Sequence, residues 1–117
     1  MTNVLPMDYV QNLEEANTVF KNIQVEGKSG DYTVKGEAST KEGKFYYTVE
    51  DGHNQYVEET QVALEKKFPE QAPFEIKISI PKDDLPQNAT LILNLYERSK
   101  EGNIINNFPV VLEQIYK

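Results

Sequence analysis

The segment PFEIKISIP, residues 73–81, alternates strictly between apolar and polar side chains. Its apolar positions between the two prolines are Phe74, Ile76, Ile78 and Ile80. Because successive side chains of a β-strand point to opposite faces, this pattern predicts a strand with one buried face and one face in water. Such a strand needs a sheet around it, so the segment commits the chain to β-structure.

Two further strands are expected upstream, in FKNIQVEG and DYTVKGEA. Between them lies Ser29-Gly30, which can supply the positive φ angles of a tight hairpin turn. Downstream, ATLILNLYE places Leu91, Leu93 and Leu95 on one face, and its less polar opposite face predicts a more central strand. The stretch NIINNFPVVLEQIY is strand-like on both sides of Pro109. Since proline cannot donate to a ladder, this strand is interrupted, bulged or at an edge there.

Two turns share a Lys-Glu-Gly signature, in STKEGKF and RSKEGNI. In each, Gly43 or Gly102 can take the left-handed position after a type I turn. With the prolines, these turns bound strands at intervals of about 8 to 12 residues, a spacing typical of an all-β sandwich or barrel. A chain of 117 residues is the size of one domain. We therefore predict one antiparallel β-sandwich of about seven strands over residues 18–117.

The N-terminal residues 1–17 differ from the rest of the chain. The stretch PMDYVQNLEEAN places Tyr9, Val10, Leu13 and Ala16 on one helical stripe. Isolated helices of this length are marginal, and end segments are commonly loose unless tied down. Two alternatives follow: a short helix packed on the sandwich, or a leader segment.

Composition excludes several classes of protein. The chain has no cysteine, which excludes disulfides, thiolate nucleophiles and cysteine-based metal sites. Its net charge is -7 and it has no long basic run, so nucleic acid is not an expected partner. No apolar stretch approaches the roughly 20 residues that span a bilayer, so we expect no membrane insertion by the chain as given. An export signal or a lipid anchor outside this sequence would agree with these observations.

The stretch KFYYTVEDGHNQYVEE, residues 44–59, contains the most concentrated aromatic cluster. Strand alternation places Phe45 and Val49 on one face, which we assign to the core, and Tyr46 on the other. Tyr46, with Tyr56 across the hairpin, then forms an exposed aromatic pair that could stabilise the sheet, contact a protein or stack on a sugar. We take this pair as a candidate partner or ligand surface.

The same stretch contains the single histidine of the chain. His53 follows an Asp-Gly turn and precedes Asn54, and all of these residue types tolerate positive φ, so we interpret it as an exposed turn residue. A pH switch is the alternative, because imidazole titrates near neutrality. Asp51, His53 and Asn54 complete the candidate surface beside Tyr46 and Tyr56.

No catalytic constellation can be assembled from the sequence. There is no Gly-x-Ser-x-Gly elbow and no phosphate-binding glycine loop, and a single histidine in a turn is a poor base for a nucleophile. Glu58 and Glu59 would point to opposite faces of a strand and could not act as a glycosidase pair. Asp83-Asp84 lacks the ordered oxygen spacing of an EF-hand, although calcium at this loop stays open. We therefore predict no enzyme, no cofactor and no metal site.

The order of these landmarks resembles the immunoglobulin-like domain associated with bacterial spore-germination proteins. The resemblance rests on YTVKGEASTKEGKFYYTVEDGHNQYVEE, APFEIKISIP and LILNLYERSKEGNIINNFPVVL, and covers about residues 20–113. These motifs define a fold and not a reaction. The resemblance implies an immunoglobulin-like sandwich located outside the cytoplasm, in the cell or spore envelope of a Gram-positive bacterium.

The implied function is that of a non-catalytic binding or assembly module linked to sporulation or germination. Its partner would be a protein or an envelope polymer, bound through a sheet face or an edge strand. The alternative is a small carbohydrate-binding sandwich that uses exposed tyrosines.

Overall fold

The structure is a computed structural model, and it describes residues 19–116. These residues form seven strands and one short 3-10 helix, Lys82–Asp84. The strands are β1 Phe20–Lys28, β2 Asp31–Ala38, β3 Lys44–Glu50, β4 Gln55–Ala63, β5 Ala72–Ser79, β6 Asn88–Arg98 and β7 Ile104–Tyr116. The helix or leader expected at residues 1–17 lies outside the described residues.

The strands form two antiparallel sheets. One sheet has three strands in the order β1-β2-β5, and the other has four in the order β4-β3-β6-β7. The predicted all-β, immunoglobulin-like sandwich is confirmed. Strands β5, β1, β4 and β7 are the edges, while β2, β3 and β6 are paired on both sides.

The core lies between the two sheets and follows the predicted alternation. Phe45 and Val49 of β3 are fully buried, as are the three leucines that β6 turns inward. The Phe45 ring packs edge-on against Phe20 of the other sheet, with ring centroids 5.1 Å apart, and against Phe74, at 4.9 Å. Aromatic side chains therefore join the two layers.

The hairpin between β1 and β2 has the predicted two-residue turn. Ser29 and Gly30 have φ angles of 56° and 99°. A Cβ on Gly30 would lie 2.2 Å from the carbonyl oxygen of Ile80, so only glycine fits this position. The turn is also tied to the opposite sheet, because Glu113 of β7 accepts hydrogen bonds from the Ser29 N–H (2.9 Å) and the Tyr32 hydroxyl (2.5 Å).

The two Lys-Glu-Gly turns share a glycine with positive φ but connect different elements. Gly43 and Gly102 have φ angles of 74° and 90°, as predicted. Gly102 closes the β6–β7 hairpin, whereas Gly43 lies where the chain crosses from β2 in one sheet to β3 in the other. Strand β7 continues through Pro109, which pairs with Asn94 at the edge of the sheet, so the edge is the expected alternative that the structure shows. The two register irregularities of β7 lie on either side of Pro109, between Ile105 and Phe108 and between Val111 and Glu113.

Candidate functional site

The outer faces of the two sheets differ in chemistry. On the three-stranded sheet, opposite charges face each other across neighbouring strands, as in Lys35 with Glu75 and Lys28 with Asp31. The Ser79 hydroxyl also donates to Asp31, at 3.0 Å. Opposite charges in facing register positions attract only weakly in water, so this face, which we call the charge-paired face after that register, is typical of a solvated surface.

The outer face of the four-stranded sheet contains an open groove of about 770 Å³, which we call the outer groove. Its main lining residues are Thr48, Glu50, Glu58, Glu59, Asn94, Tyr96 and Arg98, with Ile104 and Asn107 from β7. The groove combines an aromatic ring, carboxylates, an amide and a guanidinium. Tyr and Arg are enriched in protein interfaces, and a few fixed polar groups give a binding site its specificity.

Glu59 organises one wall of the outer groove. It lies at a β-bulge, because the pairing of β3 with β4 shifts between Tyr47 and Val49. Glu58 and Glu59 therefore line the same groove, and the expectation that they point to opposite faces is wrong. One carboxylate oxygen of Glu59 accepts from the Tyr96 hydroxyl at 2.5 Å and from Arg98 Nε at 2.9 Å, and it lies 2.8 Å from a terminal guanidinium nitrogen of Arg98. The hydrogen bond from Arg98, followed by that from Tyr96, lowers the pKa of Glu59. Burial and the bond to Glu59 raise the pKa of Tyr96 to about 12.

Tyr46 points outward, as predicted, but its aromatic partner is Tyr96. The two rings stack with centroids 6.1 Å apart and an angle of 25°. The Arg98 guanidinium lies 5.8 Å from the Tyr96 ring centroid, and Tyr96 is only 3% exposed although it belongs to an outer face. Opposite Tyr46 on β4 is Gln61, so the expected Tyr46–Tyr56 pair across the hairpin is not formed.

Tyr56 lies near the other end of the hairpin and packs against the core. The register of β3 with β4 shifts there, which leaves Tyr56 as an extra residue and turns its ring inward. Its hydroxyl donates to Asp51 Oδ2 at 2.6 Å. Tyr56 thus holds the β3–β4 loop to the core and shares no platform with Tyr46.

Asp51 shapes that loop. Its Oδ1 accepts from the backbone N–H groups of His53 (2.8 Å) and Asn54 (2.7 Å). These bonds, with that from Tyr56 as the largest contribution, lower the pKa of Asp51 to about 2. The structure therefore brings Asp51, His53 and Asn54 of the loop together with Tyr56 of β4. The function of the five predicted residues as a partner surface stays a prediction.

His53 itself is exposed in the turn, and its backbone N–H donates to Asp51. Gly52 supplies the positive φ of 95° in this turn. Asn54 and Tyr56 also line a separate cleft of about 380 Å³ beside the end of β5. Within residues 19–116, no three His, Asp or Glu side chains converge as metal ligands would.

Sequence reasoning missed Glu59, Tyr96 and Arg98 as members of one surface. The alternation that turns the β6 leucines inward also turns Asn94, Tyr96 and Arg98 outward, and that signal was present. No local pattern predicts the pairing of β6 with β3, which brings Tyr96 beside Tyr46. The bulge that directs Glu59 toward Tyr96 was equally invisible.

Residues 14–103 match the family model of Gmad2, the immunoglobulin-like domain of bacterial spore germination. The chain belongs to this family. No curated protein and no solved structure gives a match. The Gmad2 match spans strands β1 to β6, so it includes every lining residue of the outer groove except those on β7. In the described part of this Gmad2 domain, no helix is long and apolar enough to cross a membrane.

Proposed function

We propose that this spore-germination domain is a non-catalytic binding or assembly module of the cell or spore envelope, outside the cytoplasm. Its partner is a protein or an envelope polymer, and the outer groove is the surface that binds it. Family membership supports the link to germination. The side chains of Glu59, Tyr96 and Arg98, which are held in place by hydrogen bonds in the outer groove, support the choice of surface.

The groove is built for binding more than for proton transfer. The Glu59 carboxylate is held by Arg98 and Tyr96, and Glu50 accepts from Asn94 Nδ2 at 3.0 Å and from the Gly52 N–H at 2.5 Å. These bonds orient the side chains before any partner arrives, which lowers the entropic cost of binding. The lowered pKa of Glu59 keeps its carboxylate ionised, which does not suit a general acid near neutral pH.

The carbohydrate-binding alternative loses the platform on which it was based. Tyr56 packs inward, and Tyr46 stacks on Tyr96 instead of presenting a paired surface with Tyr56. A planar sugar-stacking site needs an accessible aromatic face. The outer groove remains as the better-supported surface.

A pair of matched variants tests the proposal. Thr48 lines the outer groove, and Thr33 occupies the outer face of the other sheet; both are half-buried and both lie on strands paired on both sides. Thr48→Trp should fill the groove, whereas Thr33→Trp adds the same bulk to the charge-paired face. The measurement is co-sedimentation of the purified labelled domain with dormant spores and with isolated cell walls of a spore-forming bacterium.

We expect wild type and Thr33→Trp to sediment with one of these fractions and Thr48→Trp to lose most of that binding. Protease treatment of the spores then separates a protein partner from a polymer. Equal binding by the two variants would remove the outer groove from the proposal. Absence of binding by wild type to either fraction would overturn the envelope function.

A further inference from the structure

Strand β5 is an edge strand without the interruptions that mark the other edges. Within the described residues it pairs with β2 alone, over eight consecutive residue pairs and without a register shift. The pairing of β1, β4 and β7 contains irregularities, and β7 also contains Pro109. Bulges and internal prolines are the usual devices that stop edge strands from pairing with another chain. Among the edge strands of residues 19–116, β5 alone pairs without a bulge, and its one proline, Pro73, is its second residue.

The free side of β5 presents unpaired backbone groups from alternate residues. The Ile80 N–H donates to the Gly30 carbonyl at 2.8 Å, and this contact continues the β2–β5 register. In an antiparallel pair, residues alternate between those bonded to the neighbouring strand and those that face away from it. The backbone groups of Ile78, Ile76 and Phe74 therefore face β2. Those of Glu75, Lys77 and Ser79 face outward.

We propose that β5 pairs with β5 of a second copy of this chain, antiparallel and about a two-fold axis at Ile76. Glu75 of each copy then lies directly opposite Lys77 of the other. The outward N–H of Glu75 meets the carbonyl of Lys77 of the second copy, and the reverse bond also forms. The Ser79 N–H donates to the carbonyl of Pro73 of the second copy. Pro73 has no N–H to return, so this terminal pair forms one hydrogen bond instead of two.

The charges of β5 select this register. A two-fold axis at Glu75 would place the two Glu75 side chains opposite each other, and an axis at Lys77 would do the same with the lysines. Like charges directly opposite are destabilising, and opposite charges are favourable. An axis at Phe74 would leave Lys77 beyond the end of the other β5, and an axis at Ile78 would do the same to Glu75. Only the axis at Ile76 pairs unlike charges over the full strand.

The neighbouring strand extends the same pattern. Lys35 of β2 lies opposite Glu75 in the register of the monomer. In the dimer, each Glu75 would therefore lie between Lys35 of its own chain and Lys77 of the second copy. On the inner face, Ile76 would meet Ile76 of the second copy and Phe74 would meet Ile78, so that the two apolar faces become continuous. The product is a six-stranded sheet with an isologous interface.

Charge reversal tests the interface. We expect analytical ultracentrifugation over about 1 µM to about 1 mM to show a reversible dimer of wild type. Glu75→Lys creates Lys–Lys contacts and should weaken the dimer roughly tenfold or more. Lys77→Glu should act in the same direction. The double variant Glu75→Lys/Lys77→Glu restores opposite charges in the same register and should recover most of the affinity.

The control is Glu26→Lys, which makes the same charge change at an exposed outer-face position of β1, the other edge of the same sheet. It should dimerise like wild type. A second readout is amide hydrogen exchange: the Glu75 and Lys77 amides should become protected as concentration rises, while amides of β4 should not. A wild type that stays monomeric throughout this range, an equal effect of Glu26→Lys, or no rescue in the double variant would each overturn the proposal. None of these outcomes bears on binding through the outer groove, which the Thr48 and Thr33 variants test.

Discussion

Asp51 shows how one side chain determines a loop. Its carboxylate accepts hydrogen bonds from Tyr56, Asn54 and His53, and these hold its pKa at about 2 against an ordinary value of 3.8. A carboxylate whose pKa is lower in the folded state stabilises the fold above its unfolded pKa. That contribution is lost as the pH falls toward the folded pKa.

Asp51→Asn should therefore lower the free energy of unfolding at pH 7 by about 1 kcal/mol, the usual scale for one hydrogen bond. The difference from wild type should shrink between pH 4 and pH 2, because wild type loses its charged acceptor there. Urea denaturation of both proteins across this range checks it. Asp83→Asn, an exposed carboxylate of the 3-10 helix, should show no such trend. A difference between wild type and Asp51→Asn that does not change with pH would refute this explanation of the loop.

At the scale of elements, the contact between β2 and β7 connects the two sheets away from the aromatic core. The Tyr32 hydroxyl donates to Glu113 and accepts from the Gly30 N–H at 3.1 Å, and the Tyr32 ring is 3% exposed. Burial, followed by the bond to Glu113, raises the pKa of Tyr32 to about 12. One hydroxyl thus couples the β1–β2 turn to the last strand.

Tyr32→Phe should destabilise the domain by about 1 to 3 kcal/mol, because it leaves polar groups without their partner in a part-buried site. Since the folded pKa lies above the unfolded value of 10.0, the contribution is present up to about pH 10 and is lost as the pH rises toward 12. Thermal or urea unfolding of wild type and variant measures this difference. Tyr116→Phe, at a residue 67% exposed, should leave stability near that of wild type. A Tyr32→Phe effect no larger than that of Tyr116→Phe would contradict the inter-sheet contact.

The elements that could be predicted from the sequence are those set by neighbouring residues. Strands β5 and β6 follow from period-2 alternation, and the Ser29-Gly30 turn follows from local φ requirements, because each depends on a few neighbouring residues. The Tyr46–Tyr96 stack depends on the pairing of β3 with β6, which are distant in the chain, and no local pattern specifies it. Strict alternation predicts Tyr56 on the surface because it does not include the register shift that turns the ring inward.

In the whole molecule, the cluster of Phe20, Phe45 and Phe74 joins the two sheets into one folding unit. Phe45 is fully buried and contacts rings from the opposite layer. Phe45→Ala should cost about 3 to 5 kcal/mol, a large part of the total stability of an ordinary domain. Urea denaturation gives the cost, and amide exchange should show β2 and β6 losing protection together.

Phe68→Ala is the matched control, because Phe68 is 57% exposed and its removal should change stability by no more than about 0.5 kcal/mol. If Phe45→Ala unfolded only the four-stranded sheet and left β2 protected, the two layers would be separate cooperative units.

The composition of β5 has a consequence for aggregation of the misfolded chain. The segment FEIKISI, residues 74–80, has no proline and one charge of each sign, which is the composition of segments that stack into cross-β fibrils. Pro73 and Pro81 stand at its two ends and act as gatekeepers, since neither can donate to a growing ladder. Pairing between misfolded chains through this segment would therefore be limited to the short window between the two prolines. Any partner that occupies β5 in the folded protein also withdraws the window from aggregation.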